Sequence, residues 1–486
     1  MEDKALRSLP WAFLTNIGKK FLTLSTTVVL ARLLVPGDFG LVAAAMIAIG
    51  SLNALSDLGV GGVLVVRRQL SEREKSTILG VMVGMSAATS VLIGAAAPII
   101  ADLFSEARIV TVLRVLLIGE LVGGFTWFYQ NLLTRELEFR KRFHCELAQA
   151  LALGFTSILG AVLGLGYWSV VAGIFVGRVI YTIALIVKAP YRVRPHLEPA
   201  IVRDLVRQGT GFNVQGAVTV LQTSVDYVAV GHVLGPGRLG YYSMSYRVAE
   251  QGYWAIADVV GRVFVPAFAR MRERGEDVTA AFGRTLQLVA LLSCPLGLVL
   301  SGVARPFTET VFGNRWLPMV GPLSVLGLWA AARPIQYTMS WYLASQNRAG
   351  LEAGGSLALF LVQAPLLFLA ARHGDIVAVA WVMLGHSVAS GVVYAGILRR
   401  WMGVGLGRQW AAVRSALVAG ALCWGTTRIV AGIEILGPVG ATLAATAAGL
   451  ATYALAVAVL DPAAMRDLRA QAGRLRASPD PLAPTA

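Results

Sequence analysis

Arg247, Gln251, Trp254, Asp258 and Arg262 follow one another at steps of four, three, four and four, with Glu250 adjacent. Gln215, Thr219, Gln222 and Asp226 keep steps of four, three and four, and Asn53 and Asp57 form an i, i+4 pair. Such spacings place their members on one face of an α-helix. All of them lie inside long apolar runs, as do Lys19, Lys20, Arg114, Arg178, Arg333 and Glu120. A charge at the centre of a bilayer costs at least ~2.5 to 3.5 kcal/mol on insertion scales, so groups like these face an aqueous cavity or a partner and are functional candidates. Cations outnumber acids among them. The chemistry they offer is the holding of a charged molecule, with Asp57, Asp226 and Asp258 as candidates for a titrating or ion-coordinating group.

The elements that carry these residues are membrane spans. The 486 residues are 56% hydrophobic and 14% charged, with a mean hydropathy of +0.67, outside the range of soluble domains. Fourteen apolar runs are each long enough to cross a ~30 Å hydrocarbon core. They fall near 10–32, 41–65, 77–103, 109–132, 145–165, 167–187, 209–233, 241–265, 284–304, 317–343, 353–371, 376–398, 411–431 and 437–460. Lys19 and Lys20 interrupt the first run, and no small-x-small cleavage site follows it, so it reads as a span and not as a signal peptide. With the N-terminus inside, the cytoplasmic segments hold 28 basic residues and the outer loops seven, which places both termini in the cytoplasm. The net charge of +15 is thereby explained by topology and by anionic leaflet lipids, without nucleic acid. Cys145, Cys294 and Cys423 share no redox or metal spacing, and the five histidines form no i, i+4 pair, so neither a metal nor a cofactor is expected. The tail after Asp461 is rich in proline and reads as disordered.

One motif occurs twice. Leu34, Pro36, Gly37, Phe39 and Gly40 in "LLVPGDFGLV" match Leu234, Pro236, Gly237, Leu239 and Gly240 in "VLGPGRLGYY" at an offset of 200. The first copy joins the first and second spans, and the second joins the seventh and eighth. Six helices between them preserve orientation, so the halves are parallel repeats. The prolines are expected to fix a tight corner, and the four glycines to supply backbone conformations closed to other residues. Subtracting the offset aligns Gln215, Thr219, Gln222 and Asp226 with Thr15, Lys19, Leu22 and Thr26, so Lys19, and not Lys20, shares the polar face.

The first turn with "SDLGVGGVLVVRR" (Ser56 to Arg68), the segment "LLTRELEFRKRF" (Leu132 to Phe143) and "DYVAVGHVLGPGRLGYYSMSYRVAE" (Asp226 to Glu250) resemble the polysaccharide transporter branch of the multidrug/oligosaccharidyl-lipid/polysaccharide exporter superfamily. The resemblance covers residues 5 to 460. It implies an all-α integral membrane protein with two six-helix bundles, 1–208 and 209–400, facing one another across a central cavity. Two additional helices in 401–460 and a cytoplasmic tail in 461–486 follow. It further implies a flippase of the bacterial inner membrane that turns a polyprenyl-diphosphate-linked oligosaccharide from the cytoplasmic to the periplasmic leaflet, for O-antigen, capsule or exopolysaccharide synthesis. Membrane lipids, a polysaccharide polymerase and chain-length machinery are the partners it suggests.

A diphosphate requires a cationic site, and Lys19, Arg247 and Arg333 are the candidates, with Gln222 and Trp254 lining the same cavity. Each has a duller alternative. Lys19, Arg247 and Arg262 lie close enough to span ends to snorkel to the headgroups. Arg333, halfway along its span and followed by Pro334, has a structural salt bridge as its alternative, with Glu120 as the partner. Arg178, in an otherwise apolar helix, favours a structural bridge. Tyr241, Tyr242, Tyr246, Tyr253 and Trp254 offer sugar-stacking surfaces or simple packing. Two other functions stay open: an ion-coupled drug exporter of the same superfamily, which an acid-dominated cavity would favour, and a membrane glycosyltransferase or polymerase, which would need acids on a substantial outer loop. A flippase makes and breaks no bond and is not an enzyme.

Overall fold

The computed structural model describes residues 22–56, 70–136, 138–346, 348–463 and 465–466, together with Gly18 and Leu64; for 51–56, 206–221 and many positions between 254 and 269 it describes the helical backbone alone. Lys19 and Asp57 lie outside the described residues, as do the side chains of Trp254, Asp258 and Arg262. Among the described residues the chain is α-helical, with short 3-10 turns and no strand. The helices are α1 (Leu22–Leu33), α2 (Pro36–Ser56), α3 (Glu72–Leu103), α4 (Arg108–Leu121), α5 (Gly123–Arg135), α6 (Phe139–Val162) and α7 (Tyr167–Lys188). They continue as α8 (Pro199–Glu273), α9 (Val278–Val311), α10 (Val320–Ser345), α11 (Ala349–His373), α12 (Ile376–Met402), α13 (Leu406–Ala431) and α14 (Gly437–Leu460).

Seven of these, α3, α6, α7, α9, α11, α12 and α14, are long and apolar enough to cross a membrane. The bent pair α4 and α5, at 45° to each other, makes an eighth. Their outer faces expose Ile99, Phe155, Leu361, Val392, Leu455 and Val459. In water so much contiguous apolar surface would drive aggregation; in a bilayer it is the solvated face. This is a multi-pass membrane protein.

Local sequence signals set the helix starts. Ser71 and Glu74 close a reciprocal capping box at α3, with the Ser71 amide donating to Glu74 Oε2 at 2.7 Å and the Glu74 amide to Ser71 Oγ at 3.2 Å. Pro36 opens α2, where its missing N–H costs nothing, and Asp38 accepts from the Val35 amide at the positive end of the helix. Asp277 caps α9 by accepting from the Thr279 amide at 2.8 Å.

The chain packs as two compact units, residues 1–240 and 241–486. In the first, α6 and α7 form a close antiparallel pair because Gly173 and Gly177 let α7 approach Leu153 and Ser157 without side chains between. In the second, Gly297 and Gly327 bring α9 and α10 backbone to backbone, and α13 and α14 lie against α9. Tyr453 Oη donates to Leu291 O at 2.9 Å, Trp424 Nε1 to Ser301 Oγ at 3.1 Å, and Gln287 Nε2 to Asp461 Oδ2 at 2.6 Å. The three cysteines are buried and unpaired, as packing residues.

The repeated Pro-Gly motif is corrected in one respect. Gly37, Gly40, Gly237 and Gly240 all lie in helical segments, and none has a positive φ. The break between the seventh and eighth runs is instead at Gly235, with φ 79° and ψ 175° inside the otherwise continuous α8. Its counterpart at the offset of 200 is Val35, where α1 gives way to α2. The motif glycines differ in purpose. Gly37 and Gly237 face open space, whereas a Cβ on Gly40 would overlap the Pro236 carbonyl oxygen and lie 2.8 Å from the Gly240 amide nitrogen. A Cβ on Gly240 would overlap the Pro36 carbonyl oxygen and lie 2.6 Å from its carbon. The two copies of the motif are thus clasped reciprocally inside the first unit. The second copy is also held to the end of α3, where Gly231 seats the Phe104 ring and His232 Nδ1 meets Leu103 O.

Candidate functional site

Within the second unit the sequence-nominated Arg333 is 8% exposed, midway along an α10 that runs through Pro334 without a break. Trp329 and Tyr337 stand four residues before and after it, on the same helical face. The guanidinium lies over the Tyr337 ring at 4.6 Å and over the Trp329 ring at 5.8 Å, and its Nη2 donates to Tyr337 Oη at 3.2 Å.

The α8 helix supplies the facing wall. Tyr246 and Tyr253, two turns apart, pack on Trp329 at centroid distances of 5.1 and 5.9 Å, and Tyr253 also meets Tyr337 at 5.5 Å. Trp341 continues the α10 stripe against Tyr337 at 5.6 Å. On α12, His386 lies within electrostatic range of Arg333, with its Nε2 3.4 Å from Ser390 Oγ. The α9 helix braces α10 from behind: Ser293 Oγ donates to Ala331 O at 3.0 Å, next to the stretch where Pro334 cannot donate.

The charge balance of this enclosure is its main property. Among the described residues no carboxylate forms an ion pair with Arg333. Its direct contacts are the Tyr337 and Trp329 rings, with Tyr246 and Tyr253 beyond them; half-buried Glu250, between Tyr246 and Tyr253 on α8, lies near Tyr253 without ion-pairing to Arg333. Ring contacts of this type are each worth ~0.5 to 2 kcal/mol and a hydrogen bond to a charged group ~1.5 to 3 kcal/mol, enough to hold the cation at depth without neutralising it. The expected alternative partner is engaged elsewhere, since Glu120 pairs with Arg178 in the first unit at the bend between α4 and α5. Ser86 Oγ donates to the Glu120 backbone oxygen at the same place. Arg178 therefore has the structural bridge read from its apolar helix.

The other nominated residues are distributed as follows. Arg247 and Gln251 are both exposed on α8, away from the face that carries Tyr246 and Tyr253, and neither joins the enclosure. Asp226 is fully buried in α8 and Gln222 is half-buried, both in the first unit. Tyr242, Tyr246 and Tyr253 are buried, and Tyr241 donates to Arg315 O at 3.2 Å while packing edge-on against Trp316. Packing, and not a free stacking surface, is what these tyrosines provide. Sequence reading passed over Trp329, Tyr337 and Trp341, although their spacing of four about Arg333 was a usable signal.

An all-helical, multi-pass architecture with a buried cation at depth belongs to the membrane transporters. The fold agrees: the chain superposes on the lipid II flippase MurJ with a TM-score of 0.76, covering 94% of this chain and 99% of that one at 14% identity. It superposes on a multidrug-resistance MATE transporter with a TM-score of 0.60, covering 81% and 98% at 13% identity. The chain itself belongs to the polysaccharide biosynthesis protein family, whose pattern matches residues 29–321, and so to the multidrug/oligosaccharidyl-lipid/polysaccharide exporter superfamily. It is similar to the lipopolysaccharide biosynthesis protein WzxC of Escherichia coli K12, at 25% identity over 344 residues and 68% of each chain. It is similar also to the teichuronic acid biosynthesis protein TuaB of Bacillus subtilis 168, at 27% identity over 362 residues and 71% of each chain.

Proposed function

We propose that this protein is a flippase that carries a polyprenyl-diphosphate-linked oligosaccharide from the cytoplasmic to the periplasmic leaflet of a bacterial inner membrane, for surface polysaccharide synthesis. The observation that carries the reading is Arg333, a buried cation held against the Tyr337 and Trp329 rings and, among the described residues, ion-paired to no carboxylate. It supplies a fixed positive charge for a diphosphate, while the polyprenyl tail stays in lipid. Arg247, exposed on the same unit, is a second cationic candidate, and Lys19 a third. Asp57, Asp226 and Asp258 are the candidates for ion coupling. The biosynthetic names of the relatives and the lipid-substrate name of the MurJ neighbour point the same way. On this reading the protein changes no covalent bond, keeps both termini in the cytoplasm, and works beside a polymerase and chain-length machinery. The drug-exporter alternative shares the fold, but an acid-dominated cavity would favour it, whereas cations outnumber acids within the apolar runs of this chain.

The test is where the intermediate accumulates. A strain lacking the protein should still build its lipid-linked oligosaccharide and fail to expose it, so that labelled intermediate stays protected from a glycosidase or lectin added to spheroplasts. Label recovered as free nucleotide-sugar, with no lipid-linked product, would place the block in synthesis and refute the flippase reading in favour of a glycosyltransferase.

A further inference from the structure

The α10 helix is unlike the apolar spans around it. It falls outside the seven helices apolar enough to cross a membrane, and none of its large side chains is exposed, whereas α11 shows Leu357, Leu361 and Val362 to the lipid. It is therefore an inner helix of the second unit, and side chains on it that stay partly open face space enclosed by protein and not the hydrocarbon. Two of these belong to the aromatic stripe about Arg333: Tyr337 and Trp341 are half-buried, while Trp329 is 1% exposed.

The members of the stripe differ in how their faces are used. Trp329 is covered by Tyr246, Tyr253 and the Arg333 guanidinium, and Tyr337 lies between that guanidinium at 4.6 Å and the Tyr253 ring at 5.5 Å, tilted by 35°. Trp341 is less enclosed. Among the described residues its one ring contact is Tyr337, at 5.6 Å and 51°, and on its other side it packs against the buried pair Ile256 and Val289. Half-burial of so large a ring leaves indole surface open to the interior, just beyond the tyrosine that holds Arg333. Eight residues of helix put it ~12 Å from Arg333 along the axis, towards the Ser345 end of α10.

The order cation, tyrosine, open indole matches the order of groups in a lipid-linked oligosaccharide, whose first sugar is joined directly to the diphosphate. A pyranose carries C–H groups on its face and hydroxyls at its edge, so it suits a large aromatic ring that is apolar on its face and open beside it. We propose that the first sugar of the cargo stacks on Trp341 when its diphosphate is held by Arg333. The inference rests on the flippase reading and adds to it the part of the glycan that the protein reads: the sugar next to the diphosphate. Tyr337 stands between the two subsites and orients the guanidinium, accepting from its Nη2 at 3.2 Å. A tryptophan that served only to anchor a helix at the membrane boundary would belong on a lipid-facing helix, which α10 is not.

The test measures binding to the purified full-length protein in nanodiscs. Undecaprenyl diphosphate is compared with undecaprenyl diphosphate carrying a single glucose, galactose or N-acetylglucosamine. The parent should bind the sugar-bearing lipids about tenfold more tightly than the bare diphosphate. Trp341→Leu still fills the apolar space against Ile256 and Val289 but has no aromatic face, and should bring that ratio close to one. Trp341→Phe should keep most of the ratio, which a purely structural role would not predict. Arg333→Met should weaken every one of these lipids and leave the ratio as it is. A parent that binds bare and sugar-bearing lipids equally, or a Trp341→Leu variant that keeps the parent's ratio, would overturn the sugar subsite while leaving the flippase reading in place. A parent that binds none of these lipids would overturn both.

Discussion

Replacing Gly40 with alanine tests why the Pro-Gly motif is written twice. The new Cβ would overlap the Pro236 carbonyl oxygen, so the two copies of the motif would have to part by roughly an ångström to restore ordinary contact. Overpacking of this kind costs ~1 to 3 kcal/mol, against a gain of up to ~1 kcal/mol for alanine over glycine in a helix. The net expectation is a loss of about 1 to 2 kcal/mol, seen as a fall of a few degrees in the melting temperature of the purified protein. Gly240→Ala should cost a similar amount, because it meets the Pro36 carbonyl oxygen in the reciprocal contact. The double variant should lose less than the sum, with a shortfall of about 0.5 kcal/mol or more, since the first substitution already opens the gap that the second needs. Gly37→Ala and Gly237→Ala are the controls. Both positions are helical and face open space, so alanine there should be neutral or stabilising. Strict additivity of Gly40→Ala and Gly240→Ala, or equal losses at Gly37 and Gly40, would refute the clasp.

At Arg333, substitution by methionine should cut export, read by surface polysaccharide in a complemented deletion strain, at least tenfold, while leaving the melting temperature unchanged or higher, because a cation at bilayer depth is held there at a cost of a few kcal/mol. Arg333→Lys should be milder, since a point charge still meets a diphosphate though the forked contact is lost; a melting temperature that falls in step with export would make the residue structural. Glu120→Gln should destabilise the first unit by about 1 to 3 kcal/mol in thermal melts, less than a fully buried pair because the two side chains are 14% and 22% exposed, and adding Arg178→Gln should restore part of the loss. A Glu120→Gln variant that melts as the parent does would show that the bend between α4 and α5 needs no such pair.

Legibility in the sequence followed the range of the interactions concerned. Helix positions could be read because hydropathy and capping are local: the Ser71–Glu74 box and the run from Glu72 to Leu103 are contained in one stretch of chain. The duplication was legible for the same reason, but its purpose was not. Whether Gly40 is needed for its φ or for its missing Cβ depends on Pro236, almost 200 residues away, and only the folded chain brings them together. Arg333 stood out because a charge inside an apolar run is conspicuous, while Trp329, Tyr337 and Trp341 did not, because aromatic residues there look like ordinary core. Their spacing of four acquires meaning only when Tyr246 and Tyr253 of α8 close the other side.

The same contrast explains how this chain can keep a cation at depth at all. An acidic partner would hold Arg333 more tightly, as Glu120 holds Arg178, but a permanent carboxylate would compete with any anionic cargo for the guanidinium. Rings and a phenol hydroxyl solvate the charge and leave its net value at +1. A site built in this way favours whichever anion arrives, and it gains most from one that can accept two hydrogen bonds side by side, as a phosphate group does. On the flippase reading, the aromatic enclosure is therefore part of the binding chemistry: it makes a buried arginine tolerable without spending its charge on an ion pair.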